Sequence, residues 1–395
     1  MSHETTTANA RQIAASVERF VRDVIVPFER DARWTLHGPT SELVEEMRAL
    51  AREAGVMTPH IMARGNHLSH RDTALVLRAA GLSPLGPVAV NVAAPDEGNM
   101  SLLGKVATSA QKAHFLRPLL DGRVRSAFLM TEPAEDNGAG SDPSMLLTTA
   151  VPDGDHWIIN GRKCFSTGLN GARVGIVMAK TGDGATLFLV DLPHPAIRID
   201  RIPETIDSTM PGGHPTSRIE NLRVHHSAVL GEVGAGFKYA QVRLAPARLT
   251  HCMRWLGACS RAQGIASEYA VRRQAFGRSL IDHEGVGFML AENQIELKQC
   301  ELIIDWCAAV LDAGAPATTE SSMAKVAVSE ALFRVADRCV QVMGGSGLTR
   351  DSVVEQVFRE MRAFRIYDGP SEVHKWSLAK RIKHETLARL QESHR

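Results

Sequence analysis

Asp368 lies in Ile366-Tyr367-Asp368-Gly369-Pro370-Ser371-Glu372, a carboxylate set between a tyrosine and a glycine. Taking a proton from carbon needs a carboxylate close to that carbon, in a partly dry pocket that raises its basicity. The plainer reading is an Asp-Gly turn at a helix end. Upstream, Arg273-Gln274-Ala275-Phe276-Gly277-Arg278 sets an arginine beside an apolar Phe-Gly pair. A planar guanidinium matches phosphate oxygens, whereas a solvated basic helix end would not explain the Phe-Gly. Gln341-Val342-Met343-Gly344-Gly345-Ser346-Gly347 ends a helical pattern in three glycines. A helix cap accounts for one of them. Glycines also let backbone N–H groups approach a phosphate with no Cβ in the way. The spacing is not GxGxxG and no strand precedes it, which argues against a Rossmann site. Cys252/Cys259 and Cys300/Cys307 are each seven apart and so share a helix face, but no CxxC spacing is present. They read as buried small hydrophobes, with no metal site.

These residues need elements to hold them. A chain of 395 residues fits two or three domains. Its net charge of +1 offers no field for nucleic acid, and no apolar run reaches the length of a membrane span. Residues 1–15 lack the apolar core of a signal peptide, so the expected location is cytoplasmic.

The pattern divides the chain at 1–125, 126–233 and 234–395. In the first part Ile13, Val17, Phe20 and Val24 line one helix face, and Pro27 kinks or ends it. Ser41 reads as the N-cap of the next helix and Gly55 as its close. In the second part Asp153-Gly154 and Asn160-Gly161 bracket one strand, and Gly182-Asp183-Gly184 joins two more, which predicts a small barrel or sandwich. In the third, Leu290, Leu297, Ile304 and Leu311 recur every seven residues, as do Val326, Phe333 and Val340, which predicts two antiparallel core helices of a bundle.

This order of parts, with Phe128-Leu129-Met130-Thr131-Glu132-Pro133, the Arg273 and Gly344 segments and Tyr367-Asp368-Gly369, resembles the acyl-CoA dehydrogenases over roughly residues 13–382. The branch most similar is one that in animals is often attached to a kinase-like domain. The resemblance implies an α+β fold, with an N-terminal helical domain, a middle β-barrel domain and a C-terminal four-helix bundle. It implies FAD as cofactor. Phe128, Met130 and Thr131 would then border the flavin, Phe165 would cover its ring, and Thr167 would sit beside N5. Arg273, Phe276, Gln341, Gly344 and Gly345 would bind the diphosphate end from a neighbouring subunit, in a homodimer or homotetramer. Ser141, Arg248, Tyr367 and Gly369 would contact the acyl-CoA.

Asp368 would be the base that takes the α-proton, where most relatives carry glutamate, and electrons would pass to an electron-transferring flavoprotein. Departures are visible: Ala134-Glu135-Asp136-Asn137 is inserted before the Gly-Ala-Gly-Ser-Asp run, and Pro370 and Glu372 replace a threonine and a glutamine. Glu132 and Asp96 are the next carboxylates to consider as base, and Asp96 could hydrogen-bond a substrate hydroxyl or simply be a solvated loop acid. The rival functions are a flavin oxidase of the same fold, nitroalkane-oxidase-like, and a non-enzymatic DNA-binding relative. The charge balance argues against the second.

Overall fold

The structure, a computed structural model, describes residues 3–61 and 67–393. Helix α1 (His3–Phe20) runs on through a π turn (Val21–Ile25) into a 3₁₀ turn (Val26–Arg30). Pro27, which has no N–H, sits in that last turn, as its chemistry requires. Val17 and Phe20 are buried, and Ile13 and Val24 pack against the same core. Helix α2 (Ser41–Glu53) is capped by Thr40, whose hydroxyl accepts from the Leu43 N–H. Ser41 is therefore not the N-cap. It is the first helical residue, and its hydroxyl instead accepts from Arg125. Gly55 follows at φ +69°, where a β-carbon is strained, and turns the chain away. Helices α3 (His70–Ala80) and α4 (Asp96–Val106) follow, with shorter helical segments between and after them.

The middle part is one seven-stranded curled sheet of β1 (Ser126–Leu129), β2 (Thr149–Asp153), β3 (His156–Lys163), β4 (Val174–Thr181), β5 (Gly184–Asp191), β6 (Ile197–Arg201) and β7 (Thr216–His225). The strand order is β1-β4-β2-β3-β7-β6, with β5 paired to β4. The turns at Asp153-Gly154 and Gly182-Asp183 are where the residue types place them. Asn160-Gly161 is not a turn. Strand β3 runs through it with an irregularity in its pairing to β7, because a β-carbon at Gly161 would lie 2.4 Å from the Thr148 hydroxyl. That glycine marks a close approach between strands.

Helices α5 (Gly236–Arg272), α6 (Glu284–Asp312), α7 (Thr318–Met343), α8 (Val354–Phe364) and α9 (Ser371–Ser393) form the last part. On α6 the expected rail faces inward, with Leu290, Leu297, Cys300, Ile304 and Cys307 buried and Leu311, at its end, half-buried against the same core. On α7 the expected rail is displaced: Val326, Phe333 and Val340 are only half-buried, while Ala324, Val328, Leu332, Val335 and Cys339 are buried. Phe333 is large enough to cover the flank of the helix, stacking on Phe358 and lying under Arg365. All six cysteines are buried and unpaired. Helices from both ends of the chain share a single apolar core, from Ala10 and Val17 through Cys252 to Phe364. Among the described residues, no helix is long and apolar enough to cross a membrane.

One buried ion pair ties the first part to the sheet. Asp96 accepts from the Ser126 N–H at 2.6 Å and the Ser126 hydroxyl at 2.7 Å, and its other oxygen accepts from Arg48 Nη2 at 3.2 Å. Arg48 also donates to the carbonyls of Val88, Gly122 and Val124. Asp96 is therefore neither a solvated loop acid nor a group free to meet a substrate hydroxyl. Removing one partner of such a pair leaves an unmatched buried charge, at a cost of about 3–5 kcal/mol. Asp96→Ala is expected to lower unfolding free energy by that amount in chemical denaturation.

Candidate active site

Asp368 follows the end of α8 by four residues, and its backbone is in the left-handed region at φ +54°. For a residue with a β-carbon that costs roughly 1–2 kcal/mol. Gly369 comes next at φ +101°, and a β-carbon there would fall 2.6 Å from His374 Nε2, so no side chain fits. Three helices hold the strained peptide. Arg248 on α5 donates to the Asp368 carbonyl at 3.1 Å, His374 on α9 donates to the same oxygen at 3.2 Å, and Lys325 on α7 donates to the Gly369 carbonyl at 2.8 Å. The carbonyl bond fixes the His374 tautomer: Nε2 carries the proton, and Nδ1 lies 3.1 Å from the Ser322 hydroxyl. The Asp368 N–H donates to no group among the described residues.

The Asp368 carboxylate meets His251 Nε2 at 3.2 Å. Burial alone would raise its pKa. The His251 hydrogen bond and the charges of Arg243 and Arg248 outweigh that and hold it well below the usual carboxylate range. Burial and the Arg254 cation lower the His251 pKa, which favours the neutral ring with its Nε2–H toward the carboxylate. Asp368 retains 24% of its side-chain surface while His251 retains 4%, so the carboxylate can be reached and its supports cannot. Tyr367 packs its ring on His251 at 4.9 Å, and its hydroxyl accepts from Trp255 Nε1 at 2.6 Å. Around it the wall made by α4 and α5 is polar. Thr250 donates to Glu97 at 2.7 Å, Arg254 lies 3.9 Å from the same carboxylate, and Arg243 donates to Asn99 at 2.8 Å.

A second group of expected residues lies where β1 and β3 leave the sheet. The Cys164 N–H bonds to the Thr131 carbonyl at 2.9 Å, which brings Met130 and Thr131 beside Phe165 and Thr167. Beneath them Lys163 donates to the Met130 carbonyl at 3.1 Å and to Glu132 at 2.9 Å. Glu132 also accepts from the N–H groups of Ala139, Leu147 and Thr148. Burial opposes its ionisation, but the Lys163 charge and these hydrogen bonds bring it down to about 2. A carboxylate so occupied is a structural anion. Phe165 adopts φ +49° and leaves its ring 61% exposed. The Thr167 hydroxyl bonds His214 Nδ1 at 2.9 Å, and His214 Nε2 bonds Asp207 at 2.9 Å. Phe128 lies under the Arg243 guanidinium at 4.4 Å, which makes it part of the wall between the two groups. The inserted residues form a 3₁₀ turn, Ala134–Asp136, whose acids pair with Arg162, and Ser141 sits in an exposed bend beyond it.

Arg273, Phe276, Gln341, Gly344 and Gly345 stand apart from both groups, on the outside of the chain. Phe276 is 96% exposed, at the tip of a two-residue hairpin, with His283 edge-on to its ring at 6.0 Å. The three glycines have three different reasons. Gly344 needs its φ of +58°, and a β-carbon at Gly347 would lie 2.5 Å from the Val340 carbonyl. Gly345 has neither constraint, since its φ is ordinary and a β-carbon there would meet nothing within 4 Å. An exposed ring at Phe165, a second at Phe276, a cation at Arg273 and an open glycine turn together suit a large planar cofactor with a charged tail.

The sequence reading missed His251, Arg243, Lys325 and His374. A signal existed on α5, where Arg248, His251 and Arg254 recur every three residues along one face of an otherwise buried helix.

Three family models match nearly end to end: acyl-CoA dehydrogenase N-terminal domain over residues 7–123, middle domain over 127–218 and C-terminal domain over 234–383. "Probable acyl-CoA dehydrogenase FadE2" of Mycobacterium tuberculosis is 36% identical, covering 86% of this chain and 85% of its own length. "Acyl-CoA dehydrogenase family member 11" of Gallus gallus is 33% identical over 94% of this chain, and the chain spans about half (50%) of that relative. A solved structure from Mycobacterium abscessus, provisionally assigned as an acyl-CoA dehydrogenase, superposes with a TM-score of 0.87 at 32% identity, over 96% of this chain and 99% of the other.

The two glycines should separate in experiment. Gly347→Ala overpacks the helix end and should lower stability by about 1–3 kcal/mol. Gly345→Ala should leave the denaturation midpoint unchanged and release flavin more readily during gel filtration, read from the absorbance ratio of flavin to protein.

Proposed function

Because the chain belongs to the acyl-CoA dehydrogenase family, we propose that it dehydrogenates an acyl-CoA thioester between Cα and Cβ, with Asp368 as the base. The observation that carries this reading is the state of the carboxylates. Asp96 and Glu132 are fully engaged by partners, whereas Asp368 is reachable, is ionised at neutral pH and stands beside a free N–H. A carboxylate needs no activation before it accepts a proton if it is already ionised. The Asp368 N–H is suited to bond the thioester carbonyl, which makes the α-proton more acidic, an oxyanion-hole arrangement.

The cofactor is FAD, which supplies the acceptor for the hydride leaving Cβ. Met130, Thr131, Phe165 and Thr167 would border its ring system. Arg273, Phe276, Gln341, Gly344 and Gly345 would hold the diphosphate of a neighbouring subunit's cofactor, which makes the working unit a homodimer or homotetramer. Ser141, in its exposed bend, would meet the outer arm of the CoA. Electron-transferring flavoprotein is the proposed acceptor, fatty acid metabolism the setting and the cytoplasm the location.

Aspartate is one methylene shorter than glutamate, so its oxygens sit about 1.5 Å further back for the same backbone. A base must still come within roughly 2.6–3.2 Å of its proton. A substrate that is branched, cyclic or hydroxylated near Cα–Cβ would fill the vacated space. Asp368→Asn should keep FAD and lose bleaching of the flavin by substrate under anaerobic conditions by at least about 10²-fold. Retained bleaching would move the base elsewhere. Among butyryl-, octanoyl-, palmitoyl-, 2-methylacyl- and 4-hydroxyacyl-CoA, a straight chain should not be the best. If it is, and Asp368→Glu is simply faster on it, the bulky-substrate reading is wrong.

A further inference from the structure

Resting on the reading of Asp368 as the base, we infer that His251 is a positioning residue for it, holding Oδ2 so that Oδ1 is the oxygen that receives the substrate's proton. Cationic and polar groups face Asp368 from every side: Arg243, Arg248 and Arg254 from α5, Lys325 from α7, His374 from α9, Glu97 from α4 and its neighbour Tyr367. Among the described residues, only His251 touches a carboxylate oxygen. Arg248 and His374 bond the backbone carbonyl, Lys325 bonds the next carbonyl and Arg243 is committed to Asn99.

The tautomer follows from the chemistry of the partner. An ionised carboxylate only accepts, so Nε2 must carry the proton, and Nδ1 is buried with no partner. The imidazole cannot turn away easily, because Tyr367 lies against it at 4.9 Å and Phe364 at 5.9 Å. A short aspartate arm with one oxygen tied has one way to present the other. The same bond withdraws charge from the carboxylate, so its loss should make Asp368 easier to protonate.

The probe is 3,3-dimethylbutyryl-CoA, which has α-hydrogens and no β-hydrogen, so it can exchange but cannot be dehydrogenated. Deuterium entry at its α-carbon is followed in D₂O by NMR with flavin-loaded protein, from pH 5 to 8. Wild type should exchange at a rate independent of pH from 5 to 7, below the titration of Lys325, which burial pushes down to about 8. His251→Phe should be at least tenfold slower and should acquire a fall in rate toward pH 5, because Asp368 then titrates higher. His251→Gln, whose side-chain amide places an N–H near the position of Nε2, should recover most of the rate and the flat profile. Flavin content and denaturation midpoint are measured alongside, and His251→Leu, smaller than histidine, replaces the phenylalanine variant if that one does not fold. A variant lacking the donor that keeps both rate and flat profile overturns the inference. So does an equal loss in His251→Gln, which would mean that the ring matters only as packing. Exchange that persists in Asp368→Asn, or is absent from wild type, overturns instead the assignment of the base.

Discussion

The site depends on one strained peptide held from three directions. Asp368 occupies a left-handed backbone conformation that its β-carbon disfavours, and it stays there because α5, α7 and α9 each place a donor on the carbonyls of residues 368 and 369. None of those donors belongs to the segment it restrains. The position of the carboxylate is therefore a property of the helical bundle, and the apolar core shared between the two ends of the chain maintains it. Strain of this kind persists where the surroundings over-determine it, and here the constraint also leaves the Asp368 N–H unpaired beside the carboxylate.

The same bundle carries a heavy electrostatic load. Arg243, Arg248, His251 and Arg254 are all buried on α5, and burial opposes the charge of each arginine. Such groups are tolerated only when matched, and the matches are specific: Asn99 for Arg243, the Asp368 carbonyl for Arg248, Glu97 and the Val92 carbonyl for Arg254. The consequence is a carboxylate that its own chain's cations and His251 hold in the ionised form. A fully apolar pocket would make Asp368 more basic but would also leave it protonated near neutrality. The cationic wall trades basicity for readiness.

How much of this could be read from the sequence depended on whether the signal was local. The Asp153-Gly154 and Gly182-Asp183 turns are each contained within a few residues, and each reads correctly from its residue types. Contacts across long separations were not legible. Asp96 looked like a loop acid because nothing near it names Arg48 or Ser126, which lie 48 and 30 residues away. Asn160-Gly161 carries a turn signal, yet its glycine answers to Thr148 on a neighbouring segment. The rail on α7 was misplaced because Phe333, a strong apolar signal, covers a flank instead of filling the centre. Thr40 and Ser41 are both good caps, and only the hydrogen bond to Leu43 distinguishes them.

The division between inward and outward residues carries the argument one step further. Several inward residues of the site have a partner within the chain that explains their type: Glu132 has Lys163, Tyr367 has Trp255, Gly369 has His374. Phe276, Arg273 and Gly345 have no such explanation, and all three lie on the outer surface of the bundle. Phe276 is the most exposed large apolar side chain among the described residues, and a partner at that surface could cover its ring and neutralise the nearby charge. A cofactor whose reactive ring is held by one chain and whose diphosphate is held by the next would do both. On the proposed reading these residues would serve the neighbour's site, for which the folding of a single chain gives no reason.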